Sequence, residues 1–178
     1  MNTPWGRLFG YRNGRMPGQA RVSDLLMRVP IFEELSAREL QAIERILHRR
    51  EYVPEEYIFR QGEPGMGMYI MQKGTVAILS EPDNQELFQM KDGDFFGEVA
   101  LLDQGPRSAT ALARTNCVVF GFFHPDLLSL IDRNPRLGLK IILRISRHVG
   151  ERLRRANERV LALTQKLESV KQVTAREG

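Results

Sequence analysis

The sequence predicts a mainly β domain, a sandwich or roll of short strands with flanking helices, followed by one long C-terminal α-helix. Three observations predict it. Between Glu51 and Phe122, short β-type runs alternate with turn residues at regular spacing. Upstream, Ser36-Ala37-Arg38-Glu39 is a capping box that opens a helical period. Downstream of Asn134-Pro135, apolar residues recur at helical spacing as far as Val170. The chain has 178 residues, enough for one core of ordinary size.

In order, residues 1–22 are rich in Gly, Pro and Arg and show no apolar period, so they are read as a flexible basic arm. Trp5, Leu8, Phe9 and Tyr11 offer that arm apolar contacts to the domain or to a partner. Residues 23–135 form the domain. Ser23 caps a short helix over Asp24–Arg28, which Pro30 ends. Leu40, Ile43, Ile46 and Leu47 mark one face of a second helix running from Ser36 to about His48. Strands are expected at Glu51–Val53, Tyr57–Arg60, Met68–Gln72, Thr75–Ser80, Glu86–Met90, Ser108–Arg114 and Cys117–Phe122. Pro54, Gly62, Pro64-Gly65, Lys73-Gly74, Pro82-Asp83-Asn84 and Asp92-Gly93 separate them. His124-Pro125-Asp126 then opens a short helix through Ile131.

Residues 136–178 form the last helix. From Leu153 its apolar steps alternate between three and four: Leu153, Val160 and Leu167 in one row, Ala156, Leu163 and Val170 in the other. This is a coiled-coil seam. A narrow seam on so basic a helix is best buried against a second copy, so a parallel homodimer is expected, with folding back onto the domain as the alternative. Gly150 interrupts the helix as a weak point or a place of close approach.

The net charge is +4, but its sign varies along the chain: +4 over residues 1–30, −7 over 31–135 and +7 over 136–178. The basic ends are solvated faces, or surfaces for a protein or an acidic membrane. One cysteine, Cys117, forbids an internal disulfide and lies in an apolar run, which fits a buried thiol in a reducing cytoplasm. No apolar run is long enough to span a bilayer, and no signal-peptide core precedes the domain. His48, His124 and His148 are dispersed, so no metal site is expected; no nucleotide P-loop or catalytic triad motif occurs, so no catalytic residue is assigned.

The informative stretch is Phe95-Phe96-Gly97-Glu98-Val99-Ala100-Leu101-Leu102-Asp103-Gln104-Gly105-Pro106-Arg107-Ser108-Ala109-Thr110. Gly97 lets a ligand approach the backbone. The helical turn after it presents unpaired N–H groups. Arg107 supplies a fork of donors suited to phosphate, and Ser108 a hydroxyl. A carboxylate and a guanidinium held together suit one ligand with an anion at one end and a hydroxyl at the other, such as a sugar phosphate.

This segment resembles the phosphate-binding cassette of the cyclic nucleotide-binding domain family, F-G-E-(aliphatic)-A-L-(aliphatic)-x-x-x-P-R-x-A-T, without a gap. Pro30-Ile31-Phe32-Glu33-Glu34-Leu35-Ser36, Gln61-Gly62-Glu63-Pro64-Gly65 and Gln72-Lys73-Gly74-Thr75-Val76 resemble its other elements. The resemblance implies a β-roll, or jelly roll, in which Glu98 holds the ribose 2′-hydroxyl and Arg107 the cyclic phosphate. Phe96, Gly97, Val99, Ala100, Ser108 and Ala109 would complete the ligand shell. It also implies that the C-terminal helix covers the base, making Arg144, Arg147, Arg152 and Asn157 candidate lid contacts. The ligand expected is cAMP, with cGMP as the alternative, since Ser108 stands where some cGMP-selective relatives carry Thr. No further cofactor is expected. Only Thr174–Gly178 follow the seam, so sequence-specific DNA binding is not expected. The competing reading is an interaction module of the same fold that no longer uses a nucleotide.

Overall fold

A computed structural model describes residues 22–177, with side chains as far as residue 167. The arm at residues 1–21, and the side chain of Val170 in the seam, lie outside that description. The elements in order are α1 (Val22–Leu26), a 3₁₀ turn (Pro30–Phe32), α2 (Ala37–Glu44), β1 (His48–Tyr52), β2 (Tyr57–Phe59), β3 (Gly67–Lys73), β4 (Val76–Ser80), β5 (Gln85–Met90), β6 (Phe95–Phe96), α3 (Val99–Asp103), β7 (Thr110–Ala113), β8 (Cys117–Phe123), α4 (His124–Arg133) and α5 (Pro135–Glu177).

Two antiparallel four-stranded sheets face each other, one ordered β1-β8-β3-β6 and the other β2-β7-β4-β5. The side-chain period of two sorts residues between two cores. Tyr69, Met71, Cys117 and Val119 point between the sheets and meet Ile58, Val76, Ile78, Ala111 and Ala113. Met68, Ile70, Phe120 and Phe122 point the other way into a helical layer with Phe32, Leu40, Ile43, Leu127, Leu137, Ile141 and Ile145. The central strands β3 and β8 are therefore buried on both faces, which explains their continuous apolar sequence. Cys117 is buried, and its Sγ lies 3.3 Å from the carbonyl of Thr75.

Ser36 caps α2 as expected, with Glu39 returning a bond to the Ser36 N–H at 2.7 Å. Several boundaries differ from the sequence reading, three of them around the N-terminal helices. α1 begins at Val22, so Ser23 lies inside it. α2 stops at Glu44 instead of reaching His48, because Ile46 and Leu47 close tight turns back to Ile43 and Glu44. His48 instead begins β1, where it pairs with Gly121 of β8. Finally, β6 adds a two-residue strand alongside β3, with Tyr69 opposite Phe96.

Asn134 ends α4 and starts α5, its Oδ1 accepting from the Leu137 N–H at 3.2 Å. The first turns of α5 belong to the domain core through Leu137, Ile141 and Ile145, so packing continues past the expected division at residue 135. Lys140 bonds Glu39 at 3.1 Å, and Arg144 pairs with Glu34, which ties α5 to the N-terminal helices. Beyond Val149 the helix leaves the core: Leu153, Val160, Leu163 and Leu167 are all more than half exposed.

Candidate functional site

β6 delivers the chain to the site. Phe95 faces the helical core and Phe96 the inter-sheet core, so the pair fixes where Gly97 lies. Gly97 has φ +75°, and a Cβ there would stand 2.6 Å from Nη1 of Arg107. Only glycine satisfies both the backbone and the guanidinium. Glu98 follows, and the single turn α3 begins at Val99. The β2–β3 loop is zipped to the far end of the cassette. Arg107 donates its N–H to Glu63 at 2.8 Å and accepts from Gly62 at 2.9 Å, and the Gly65 N–H reaches Gly105 at 3.1 Å. A Cβ on Gly65 would lie 2.3 Å from that of Ala100, so close packing is what requires glycine there.

Arg107 is 6% exposed. Its two hydrogen bonds both leave from Nη1, to the carbonyls of Gly67 (2.7 Å) and Gly97 (3.2 Å). Its Nε is buried with no partner. The guanidinium rests on the ring of Phe59, Cζ 4.0 Å from the centroid, and makes no ion pair among the described residues. Burial pulls its pKa below the ordinary arginine value, opposed by Tyr69, Glu63 and Tyr52. A buried cation without a counter-ion is costly, and a donor left unpaired adds to the cost. Both are relieved by an anion placed on the Nε side, and that chemistry fits a phosphate.

Glu98 is 2% exposed and is held differently. Its Oε1 accepts from Nη1 of Arg152 on α5 at 2.5 Å. The Arg152 guanidinium also stands 5.6 Å from the centroid of Phe88 on β5. The Glu98 carboxylate is thus met by the chain's own helix, whereas Nε of Arg107 has no partner.

Phe96, Glu98, Ala100 and Arg107 are buried and Gly97 and Ala109 half-buried, while Val99 and Ser108 are exposed. Of the lid candidates, Arg152 reaches the cassette. Arg144 faces the N-terminal segment, paired with Glu34 and 3.5 Å from the Pro30 carbonyl. Arg147 and Asn157 are exposed. Sequence reasoning missed His148, whose ring lies 4.5 Å from that of Phe95. Burial lowers its pKa below the usual histidine value, with Glu98 opposing. It also missed Phe59 and Tyr69 beneath Arg107, which are distant in sequence and read only as strand residues.

The tight Gly97 and the buried Arg107 thus lie on the segment that links the two antiparallel sheets, from β6 to β7. Residues 49–134 match the cyclic nucleotide-binding domain family, and this part of the chain belongs to it. The chain is 32% identical over 125 residues to the cyclic AMP receptor protein of Thermus thermophilus, covering 68% of this chain and 58% of that one. It is 33% identical over 96 residues to a cAMP-dependent protein kinase regulatory subunit of Pyricularia oryzae, covering 54% of this chain and 25% of that one. Among solved structures, the Thermus thermophilus catabolite activator protein superposes with a TM-score of 0.68 at 30% identity, over 76% of this chain and 63% of that one. The chain therefore spans only part of the length of each of these relatives. No described helix is long and apolar enough to cross a membrane.

Proposed function

We propose that the chain is a regulatory sensor that binds a 3′,5′-cyclic nucleotide, cAMP in preference to cGMP, and passes binding on through α5 as a dimer helix in the cytoplasm. The observation that carries the reading is Arg107: buried, outside any ion pair among the described residues, its Nε unpaired. The cyclic phosphate takes the Nε side of that guanidinium. The ribose 2′-hydroxyl donates to Glu98, and Ser108 adds a hydroxyl at the rim. The preference for cAMP is supported by the relatives, one named a cyclic AMP receptor protein and another a cAMP-dependent regulatory subunit. The relatives' names point to regulation, and the chain is read as a binding module without catalysis of its own.

Transmission follows from Glu98. The ligand hydroxyl and Arg152 compete for the same carboxylate, so binding loosens or re-angles α5. A ligand shifts a helix only by as much as its affinity differs between the two helix positions. The exposed residues Leu153, Val160, Leu163 and Leu167 are read as part of the seam with a second copy, and the basic ends as contacts for a protein or membrane surface. The test is displacement of a fluorescent cyclic nucleotide analogue by cAMP and by cGMP. Displacement by cAMP at lower concentration supports the reading. Failure of the analogue to bind at all favours an interaction module that uses no nucleotide.

A further inference from the structure

Phe59 lies half-buried at the end of β2, opposite Ala111 of β7. Its ring is fixed by neighbours, with Tyr69 and Phe96 each at 5.9 Å between centroids. The Arg107 guanidinium sits over this ring at 4.0 Å, and over Tyr69 at the longer 5.8 Å. The ring edge also reaches Gly97, because Cε1 lies 3.5 Å from where a Cβ on that residue would stand. Phe59 is thus the floor under both the glycine and the arginine of the cassette.

A guanidinium that must bind an anion poses a conflict. Left loose, it loses entropy when the ligand arrives. Held by a carboxylate, it is well placed but its charge is already cancelled. An aromatic face avoids both outcomes. Its quadrupole attracts the cation, while it carries no net charge and takes no N–H. The hydrogen bonds Arg107 does make run from Nη1 to backbone carbonyls, which are also uncharged.

We propose that Phe59 is a positioning residue for anion recognition: its ring holds Arg107 in the binding pose while leaving the positive charge and the Nε edge to the phosphate. The proposal rests on the cyclic-nucleotide reading, and it adds a residue outside the cassette to the ligand-binding machinery. It predicts that an aromatic ring is needed at position 59, not merely bulk.

The test is a double-mutant cycle read by calorimetry with cAMP on the full chain: wild type, Phe59→Leu, Arg107→Ala and the double variant. Phe59→Leu should weaken binding about tenfold, the size of a desolvated cation–π contact. Phe59→Tyr should stay within about twofold of wild type, since the face is kept. Phe59→Met, which also removes the ring, should lose affinity as Phe59→Leu does and guards against a packing defect peculiar to leucine. In the Arg107→Ala background, Phe59→Leu should change affinity less than about twofold, because the ring then has no cation to hold. An equal loss in both backgrounds, or wild-type affinity in both aliphatic variants, overturns the proposal while leaving the cyclic-nucleotide reading intact. A wild type that binds neither cAMP nor cGMP overturns both.

Discussion

Arg152, on the long C-terminal helix, places Nη1 2.5 Å from Oε1 of Glu98 in the cassette. Glu98 is nearly inaccessible and Arg152 partly exposed, so the contact closes the helix over the acid. On the proposed reading the ribose hydroxyl would use this same carboxylate, so ligand and helix would oppose each other there.

Arg152→Gln removes the charged competitor and keeps a polar side chain. We expect cAMP affinity to rise about three- to tenfold, the scale of one charge-assisted hydrogen bond. Calorimetry checks this. A loss of affinity would show Arg152 serving the bound state instead.

Gly97→Ala tests the glycine. Its φ of +75° disfavours any side chain, and the added methyl would stand 2.6 Å from Arg107 Nη1. We expect about 1–2 kcal/mol of lost stability from the backbone and at least about tenfold weaker cAMP binding from the displaced guanidinium. Thermal unfolding and calorimetry report the two effects separately.

We expect His148 to give the stability of the docked α5 a pH dependence. Burial lowers its folded-state pKa; Glu98 and Glu151 favour its charged form, and Arg152 and Arg155 oppose it. A histidine whose pKa is depressed on folding contributes fully above its unfolded value, about 6.5. That contribution is lost as pH falls through the lower folded value. Thermal stability of the wild type should therefore drop between about pH 7 and pH 5 more steeply than that of His148→Gln. Parallel profiles would remove His148 as the source.

The seam is tested by replacing Leu153, Val160 and Leu163 together with Ser. These side chains are exposed in the single chain, so their loss should leave unfolding of the β domain nearly unchanged. Light scattering should report a dimer for the wild type and a monomer for the variant. A wild-type monomer contradicts the dimer.

Much of this was legible in the sequence because local rules govern it. The Ser36–Glu39 box, the turns at Gly62 and Gly74 and the Pro135 helix start each depend on neighbours within a few residues. The cassette was legible because its glycine, acid and arginine lie on one short segment. β1 was obscured because His48-Arg49-Arg50 is a polar edge strand with no apolar alternation to mark it. β6 was too short to show a period. Among the lid candidates, Arg152 could have been singled out by extending the buried face Ile141, Ile145, His148 by four more residues. That face is set by the docking of α5, which no local pattern states. Phe59 was hidden for the same reason: its contact with Arg107 is made by bringing β2 beside the cassette, 48 residues away in sequence.

The central claim is that Arg107 is kept buried and uncompensated in order to receive a phosphate. Calorimetric titration of cAMP into wild type and Arg107→Ala tests it most directly. We expect binding to the wild type and a loss of about 1.5–3 kcal/mol in the variant, the value of a hydrogen bond to a charged group. Equal affinity in the two proteins would contradict it.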